Sequence, residues 1–210
     1  MKEDKMDKKK KIHTPPVPEV LWIFIILFLI LVAGEVFQFG VDSVEIPDTF
    51  YVNTFKEQYQ KIEAAEVKMY KNLMIRVNRF LPDSKANAYA QEIWNAAEVY
   101  GFEGKLFVYI IIVESGVKDY VVSSAGAIGL CQIMPFHLDL LKSKGIFNNY
   151  RDFYDGVKSI RGATYLLASY LEWADGDVLK ALAAYNAGKG NWRAGLDYAA
   201  KVLRIYEKYW

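Results

Sequence analysis

Cysteine occurs once in the 210 residues, as Cys131, and histidine twice, as His13 and His137. A lone cysteine excludes an internal disulfide and a cysteine-ligated cluster. Two histidines are too few for a histidine-rich metal site, so no metal and no cofactor is expected. An excess of charge is missing as well. The 26 basic and 25 acidic residues nearly cancel, leaving a formal charge of +1. Nothing in that balance points to nucleic acid as a partner. Apolar and aromatic residues are abundant: hydrophobic types make up 53% of the chain, with 15 tyrosines and 12 phenylalanines. That is enough for a sizeable core, and the length suits one moderate domain with extensions.

Long uncharged runs are scarce too, and the first lies near the N-terminus. Residues 1–19 read as a solvated basic tail, with KKKK at 8–11 and Pro15, Pro16 and Pro18 blocking helix. Residues 20–34, VLWIFIILFLILVAG, carry no charge. As a helix they span about 22 Å, short of a hydrocarbon layer of about 30 Å. The flank EVFQFGV and local thinning of the bilayer make up part of the deficit. The run is apolar on every side, which argues against a buried core helix. Two readings stay open. One is a signal peptide cleaved near Val32, Ala33 and Gly34; the other is an uncleaved transmembrane signal anchor. The anchor is the expectation, because the stretch before the run is long for a signal peptide. Lysines precede the span, whereas Glu35, Asp42, Glu45 and Asp48 follow it. The positive-inside rule then keeps the tail in the cytoplasm and the bulk of the chain outside. No cysteine follows the run directly, which excludes a lipoprotein anchor.

Residues 35–53 show few periodic signals and read as a linker. From Phe55 onward, Phe55, Tyr59, Ile62, Met69, Leu73 and Phe80 recur at helical steps. This predicts an amphipathic helix ended by Leu81, Pro82 and Asp83, so that 35–84 is linker plus helix. Such a helix either packs on the domain that follows or forms a coiled-coil stalk, giving a homodimer through residues 55–80. Glu66 on the stripe weakens both readings. A second helix over 85–103 presents Ala86, Tyr89, Ala90, Ile93, Ala97 and Tyr100 on one face, with Gly101 as its stop. Further helices are expected at 152–172, 177–187 and 195–209, the last lined by Leu196, Ala199, Ala200, Leu203 and Tyr206. Nothing alternates with period two, so the domain over 85–210 is expected to be mainly α.

The most pointed stretch is LFVYIIIVES, residues 106–115. Seven residues from Phe107 to Val113 carry no charge and lead directly into Glu114. Burial disfavours an ionised carboxylate, so Glu114 either turns back to water or serves a purpose. Periodicity alone permits a strand here; the helical neighbours favour a buried central helix. Residues 116–128 are rich in Gly, Ser and Ala and read mostly as loop. In SSAGAIGLCQIMP, residues 123–135, Gly126 and Gly129 allow a close backbone approach. Gln132 places an amide among Leu130, Cys131, Ile133 and Met134. In ALAAYNAGKGNW, residues 181–192, a helix C-cap accounts for the glycines but not for Tyr185 and Asn186. Tyr198 opens YAAKVL, where core packing is the plain alternative.

Taken in order, Glu114 with Ser115, Ser123 nine residues on, GAIGLCQIMP, AYNAG, and Tyr198 with Val202 and Leu203 resemble the successive motifs of the soluble lytic transglycosylase (SLT) domain. This is a lysozyme-like family acting on bacterial peptidoglycan, and the resemblance runs from about residue 86 to 210. It implies a lysozyme-like helical catalytic domain over 85–210. With the anchor, the protein is expected in the bacterial inner (cytoplasmic) membrane, single-pass, with its catalytic domain on the extracytoplasmic side. The resemblance makes Glu114 the catalytic acid, giving its proton to the oxygen bridging N-acetylmuramic acid and N-acetylglucosamine. Ordinary glycosidases use a second carboxylate. Asp119 and Asp139 are near in sequence but occupy no matching motif position. The family's chemistry implies that none is needed. The sugar's acetamido group steadies the cationic centre, its 6-hydroxyl attacks, and Glu114 recovers a proton. The product is a 1,6-anhydromuramyl end, formed without water.

The same resemblance assigns Ser123, Gln132 and Asn186 to hydrogen bonds with acetamido and hydroxyl groups, and Met134 and Tyr185 to the cleft floor. Tyr198 matches the tyrosine beside the glutamate, and Ser115 a support of the helix end. Three positions depart from the pattern. Cys131 replaces a methionine, read as a small buried hydrophobe; Ser159 stands where asparagine is common; Lys189 follows AYNAG where proline is usual. Peptidoglycan glycan strands and the membrane are the expected partners. The alternatives are a hydrolytic muramidase, for which Asp119 is the first candidate water activator, a catalytically idle glycan-binding or assembly module, and action on chitin. Intact Glu114, Gln132 and Tyr198 argue against an idle module.

Overall fold

The computed structural model describes residues 48–208. The basic tail over 1–19, the span over 20–34 and most of the expected linker lie outside them. Seven α-helices follow one another: α1 (Asp48–Val77), α2 (Asp83–Tyr100), α3 (Gly104–Ser115), α4 (Leu138–Ser143), α5 (Gly156–Trp173), α6 (Val178–Ala187) and α7 (Leu196–Lys208). Short 3-10 turns at Pro135–His137, Tyr150–Tyr154 and Lys189–Gly195 join the later ones. Among the described residues there is no strand; two isolated bridges pair Ile128 with Val122 and with Ile133. The domain is helical, as the absence of two-residue alternation predicts.

The apolar run forms α3, and residues 106–111 are all buried. Sequestering that many branched side chains requires neighbours on every side. α2 packs on one flank of α3 and α7 on the other, while α5 packs against α2 and α6. A fully buried β-branched or leucine side chain contributes roughly 1.5–3 kcal/mol, which makes α3 the centre of the core.

α1 differs from expectation in three ways. It starts at Asp48, inside the expected linker, and stops at Val77. Its buried residues are Val67, Tyr70 and Met74, whereas Tyr59 and Phe80 of the predicted stripe are 46% and 96% exposed. Two apolar rows run side by side on this helix, and periodicity cannot choose between them. The helix lies along α2. Tyr59 donates a 2.9 Å hydrogen bond to Glu98 and Gln91 a 2.7 Å bond to Glu63. Tyr59 also sets its ring edge-on to Trp94 at 5.9 Å. The early stop comes from Asn78, whose amide donates to the Val117 carbonyl at 2.8 Å and accepts from Phe80 N–H at 3.2 Å. A side chain that bonds nearby backbone competes with continued helix.

α2 stops at Gly101 as expected. Its core face includes Trp94, and Tyr100 is exposed instead. On α7 the buried residues are Ala199 and Val202, while Ala200 faces solvent.

Candidate active site

Gly116 ends α3. Its φ of +59° suits glycine, and its N–H closes the last turn on the Ile112 carbonyl at 3.1 Å. Ser115 ties off the same end, donating to Ile111 O at 3.3 Å and accepting from Lys118 N–H at 3.2 Å. Glu114 is thereby held on the final turn, half-buried, at the edge of the most apolar helix.

Its partner comes from α7. The Tyr198 hydroxyl donates to Glu114 Oε1 at 2.6 Å, across 84 residues of sequence. Burial pushes the Glu114 carboxyl from its ordinary 4.5 up to about 7. The Tyr198 bond and the positive charge of Lys201 pull the other way without reversing this. The Tyr198 phenol is itself raised well above its usual range, by burial first and then by the charge of Glu114. It stays a neutral donor at neutral pH. Glu114 therefore exchanges its proton near pH 7 with a fixed donor against one oxygen.

Around this pair sits the segment 121–134. The Ile128 and Ile133 N–H groups exchange bonds with each other's carbonyls at 3.0 and 3.1 Å. Ser123 folds the loop, its Oγ accepting from Ala127 N–H at 3.0 Å. Gln132 has φ +50° and spends its Nε2 on the carbonyls of Val121 (3.1 Å) and Gly129 (2.9 Å). Its Oε1 is what remains to meet another molecule. Met134 is half-buried just ahead of the 3-10 turn. Tyr185, from α6, donates to the Cys131 carbonyl at 2.9 Å. Burial first, and with it the charge of Glu114, drives its phenol well above the usual range, which places it in the field of the carboxylate. Asn186 is exposed on the last turn of α6.

The structure thus brings Glu114 and Tyr198 into contact and ties Tyr185 to the loop that carries Ser123, Gln132 and Met134. It brings neither nearby aspartate into the group. Asp119 is buried and engaged by Tyr89 (2.6 Å) and Lys85 (2.7 Å). Asp139 is exposed on α4. Cys131 is fully buried, and burial pushes its thiol far above the range where a thiolate forms, so it is a packing residue. Ser159, fully buried on α5, accepts from Cys131 N–H at 3.3 Å and still supports the loop. Lys189 sets its ammonium 5.5 Å from the Tyr170 ring. Two contributors were not anticipated. Lys201 is one turn after Tyr198, a spacing that could have flagged it. The Lys85 and Tyr89 clamp carried no such signal. No three His, Cys, Asp or Glu side chains are grouped to hold a metal among the described residues.

A family model described as "Transglycosylase SLT domain" matches residues 91–205. The chain is similar to the membrane-bound lytic murein transglycosylase C of Haemophilus influenzae, with 32% identity over 134 residues, 59% of this chain and 35% of that protein. The protein of the same name from Actinobacillus pleuropneumoniae is 30% identical over 183 residues, 79% of this chain and 49% of its own. The transglycosylase of Enterobacteria phage PRD1 is 33% identical over 117 residues, 54% of this chain and 41% of its own. The chain therefore spans at most about half the length of these curated relatives. Among solved structures, an inactive mutant of the lytic transglycosylase Slt from Pseudomonas aeruginosa aligns with a TM-score of 0.46 at 23% identity, covering 61% of this chain and 24% of that one.

Proposed function

Because this chain belongs to the transglycosylase SLT domain family, we propose that it is a peptidoglycan lytic transglycosylase in which Glu114 acts first as acid and then as base. The observation that carries this is the 2.6 Å bond from Tyr198 to a carboxyl raised to about 7. Protonated Glu114 gives its proton to the bridging oxygen as the bond from that oxygen to C1 of N-acetylmuramic acid breaks. The substrate's acetamido group stabilises the cationic C1. The 6-hydroxyl oxygen bonds to C1, and its proton returns to Glu114. A value near 7 suits both halves, since one group must give and take the same proton. Ser123, Gln132 through Oε1, and Asn186 bind acetamido and hydroxyl groups, while Met134 and Tyr185 form the floor. The capture of Asp119 by Tyr89 and Lys85 supports the anhydro route over hydrolysis, because it engages the first candidate water activator elsewhere.

Purified peptidoglycan digested with the full chain is expected to release muropeptides lighter by one water than the hydrolytic products. Reducing ends instead would establish the muramidase reading. No release from folded protein would leave the idle binding module.

Tyr198→Phe removes the donor but keeps the ring. We expect kcat to fall by about 10- to 100-fold. The bond favours the ionised carboxylate, so its loss raises the value for Glu114. The decline of kcat/KM with rising pH is expected near 7 in the wild type and should then move to higher pH. An unmoved profile would show that Tyr198 does not act through Glu114.

The expected anchor over residues 20–34 and self-association through 55–80 complete this proposal. The relatives named membrane-bound support the first, and the partly open Tyr59 and Ile62 the second. Both are read from one preparation. The full chain should stay with membranes through a high-salt wash and sediment as a dimer in mild detergent. Release by salt would reject the anchor, and a monomer the dimer.

A further inference from the structure

On the face formed by the start of α2 and the Tyr150–Tyr154 turn, two adjoining cavities of about 510 and 390 Å³ share Lys85 and Tyr120. Tyr154 lines one and Phe80 the other. Tyr120 is 74% exposed and Phe80 96%. The Tyr120 and Tyr154 rings stack at 6.1 Å with only 20° between their planes. Glu114, Gln132, Tyr185, Asn186 and Tyr198 line neither cavity. Tyr154 is half-buried and the Lys85 ammonium lies 5.8 Å from the Tyr120 ring, so Tyr120 and Phe80 are the large aromatic side chains left in water along this groove, which marks a binding surface rather than core.

We propose that this groove is a second glycan site, holding a peptide-free strand of N-acetylhexosamines away from the point of cleavage. The inference rests on the peptidoglycan reading for its ligand class. A pyranose ring has an apolar C–H face and a polar rim, which matches flat rings bordered by Ser84, Arg151 and Asp155. Lys85 is paired with Asp119 at 2.7 Å and Asp155 offsets Arg151 on the rim, which leaves Lys118 as one surplus positive charge. A single surplus cation suits the lactyl carboxylate that a peptide-free N-acetylmuramic acid exposes.

The test uses the full chain in mild detergent with Glu114→Gln as background, so that the probe is not consumed. The probe is peptidoglycan glycan freed of stem peptides by amidase. Adding Tyr120→Ala and Tyr154→Ala should weaken binding about tenfold or more. Phe80→Ser, at an exposed position and so safe for folding, should also weaken it, while Tyr120→Phe should not. With Glu114 intact, Tyr120→Ala should turn over a soluble tetrasaccharide at the wild-type rate. Undiminished binding in both the double variant and Phe80→Ser overturns the proposal. So does a loss seen only with peptide-bearing strands, or a matching loss of tetrasaccharide turnover, which would make the groove part of the cleavage site. Failure of the peptidoglycan reading appears separately, as absence of muropeptide release by the wild type.

Discussion

Glutamine in place of Glu114 is expected to cut muropeptide release by about a thousandfold or more, and to leave a protein that is more stable at pH 8 than the wild type. The first effect follows from the single-carboxylate chemistry, since glutamine can neither give nor take the proton and Asp119 is already engaged. The second follows from the linkage sign. In the folded state the Glu114 carboxyl titrates near 7, above its ordinary 4.5. Below 4.5 it is protonated in both states and has no effect on the balance. As pH rises from 4.5 to 7 the unfolded chain ionises first, so folding stability falls across that window. At pH 8 the difference amounts to roughly 3 kcal/mol. Glu114→Gln removes this penalty, and its Oε1 still accepts from Tyr198. Thermal melting should therefore show a gain of several degrees at pH 8 and none at pH 4. Equal melting temperatures at both pH values would mean that Glu114 is not held in an apolar setting. Undiminished release would remove it from the mechanism.

The second large effect concerns a residue with no side chain. Gly129 has φ +79°, and a Cβ placed there would lie 2.0 Å from the Phe153 carbonyl oxygen. That oxygen belongs to backbone, which cannot swing aside as a side chain would. Gly129→Ala combines an unfavourable conformation with a forced backbone displacement, and is expected to cost about 3 kcal/mol or more. The melting temperature should drop by about 6–12 °C, and release should fall too, since the Gly129 carbonyl holds Gln132. Gly126→Ala is the control. Its φ is +87° but no atom lies within 4 Å of the added methyl, so only the conformational term of about 1 kcal/mol applies. Similar losses in both variants would show that close approach at Gly129 is not what constrains the loop.

Much of this was legible in the sequence for reasons local to each segment. The uninterrupted apolar run could form nothing but a central element, the following glycine ended it, and Glu114 was thereby left on its last turn. The order of Glu114, Ser123, Gln132, Tyr185, Asn186 and Tyr198 carried the family resemblance, because motif spacing is itself a property of the chain. Tertiary structure decided what depends on which surfaces meet. Tyr198 reaches Glu114 only because α7 packs on α3, 84 residues away. The buried row of α1 is Val67, Tyr70 and Met74, with the Tyr70 ring against Gly104 at the start of α3, although α1 has two apolar rows to present. Asp119, a plausible second acid by position, is fixed elsewhere by Lys85 and Tyr89 from α2. Periodicity and spacing report a residue's own helix, whereas proton affinity and hydrogen-bond partners depend on neighbours brought together by packing. That is why the acid and the tyrosine beside it could be anticipated from the order of motifs, while the 2.6 Å bond between them and the value near 7 depend on how the helices pack.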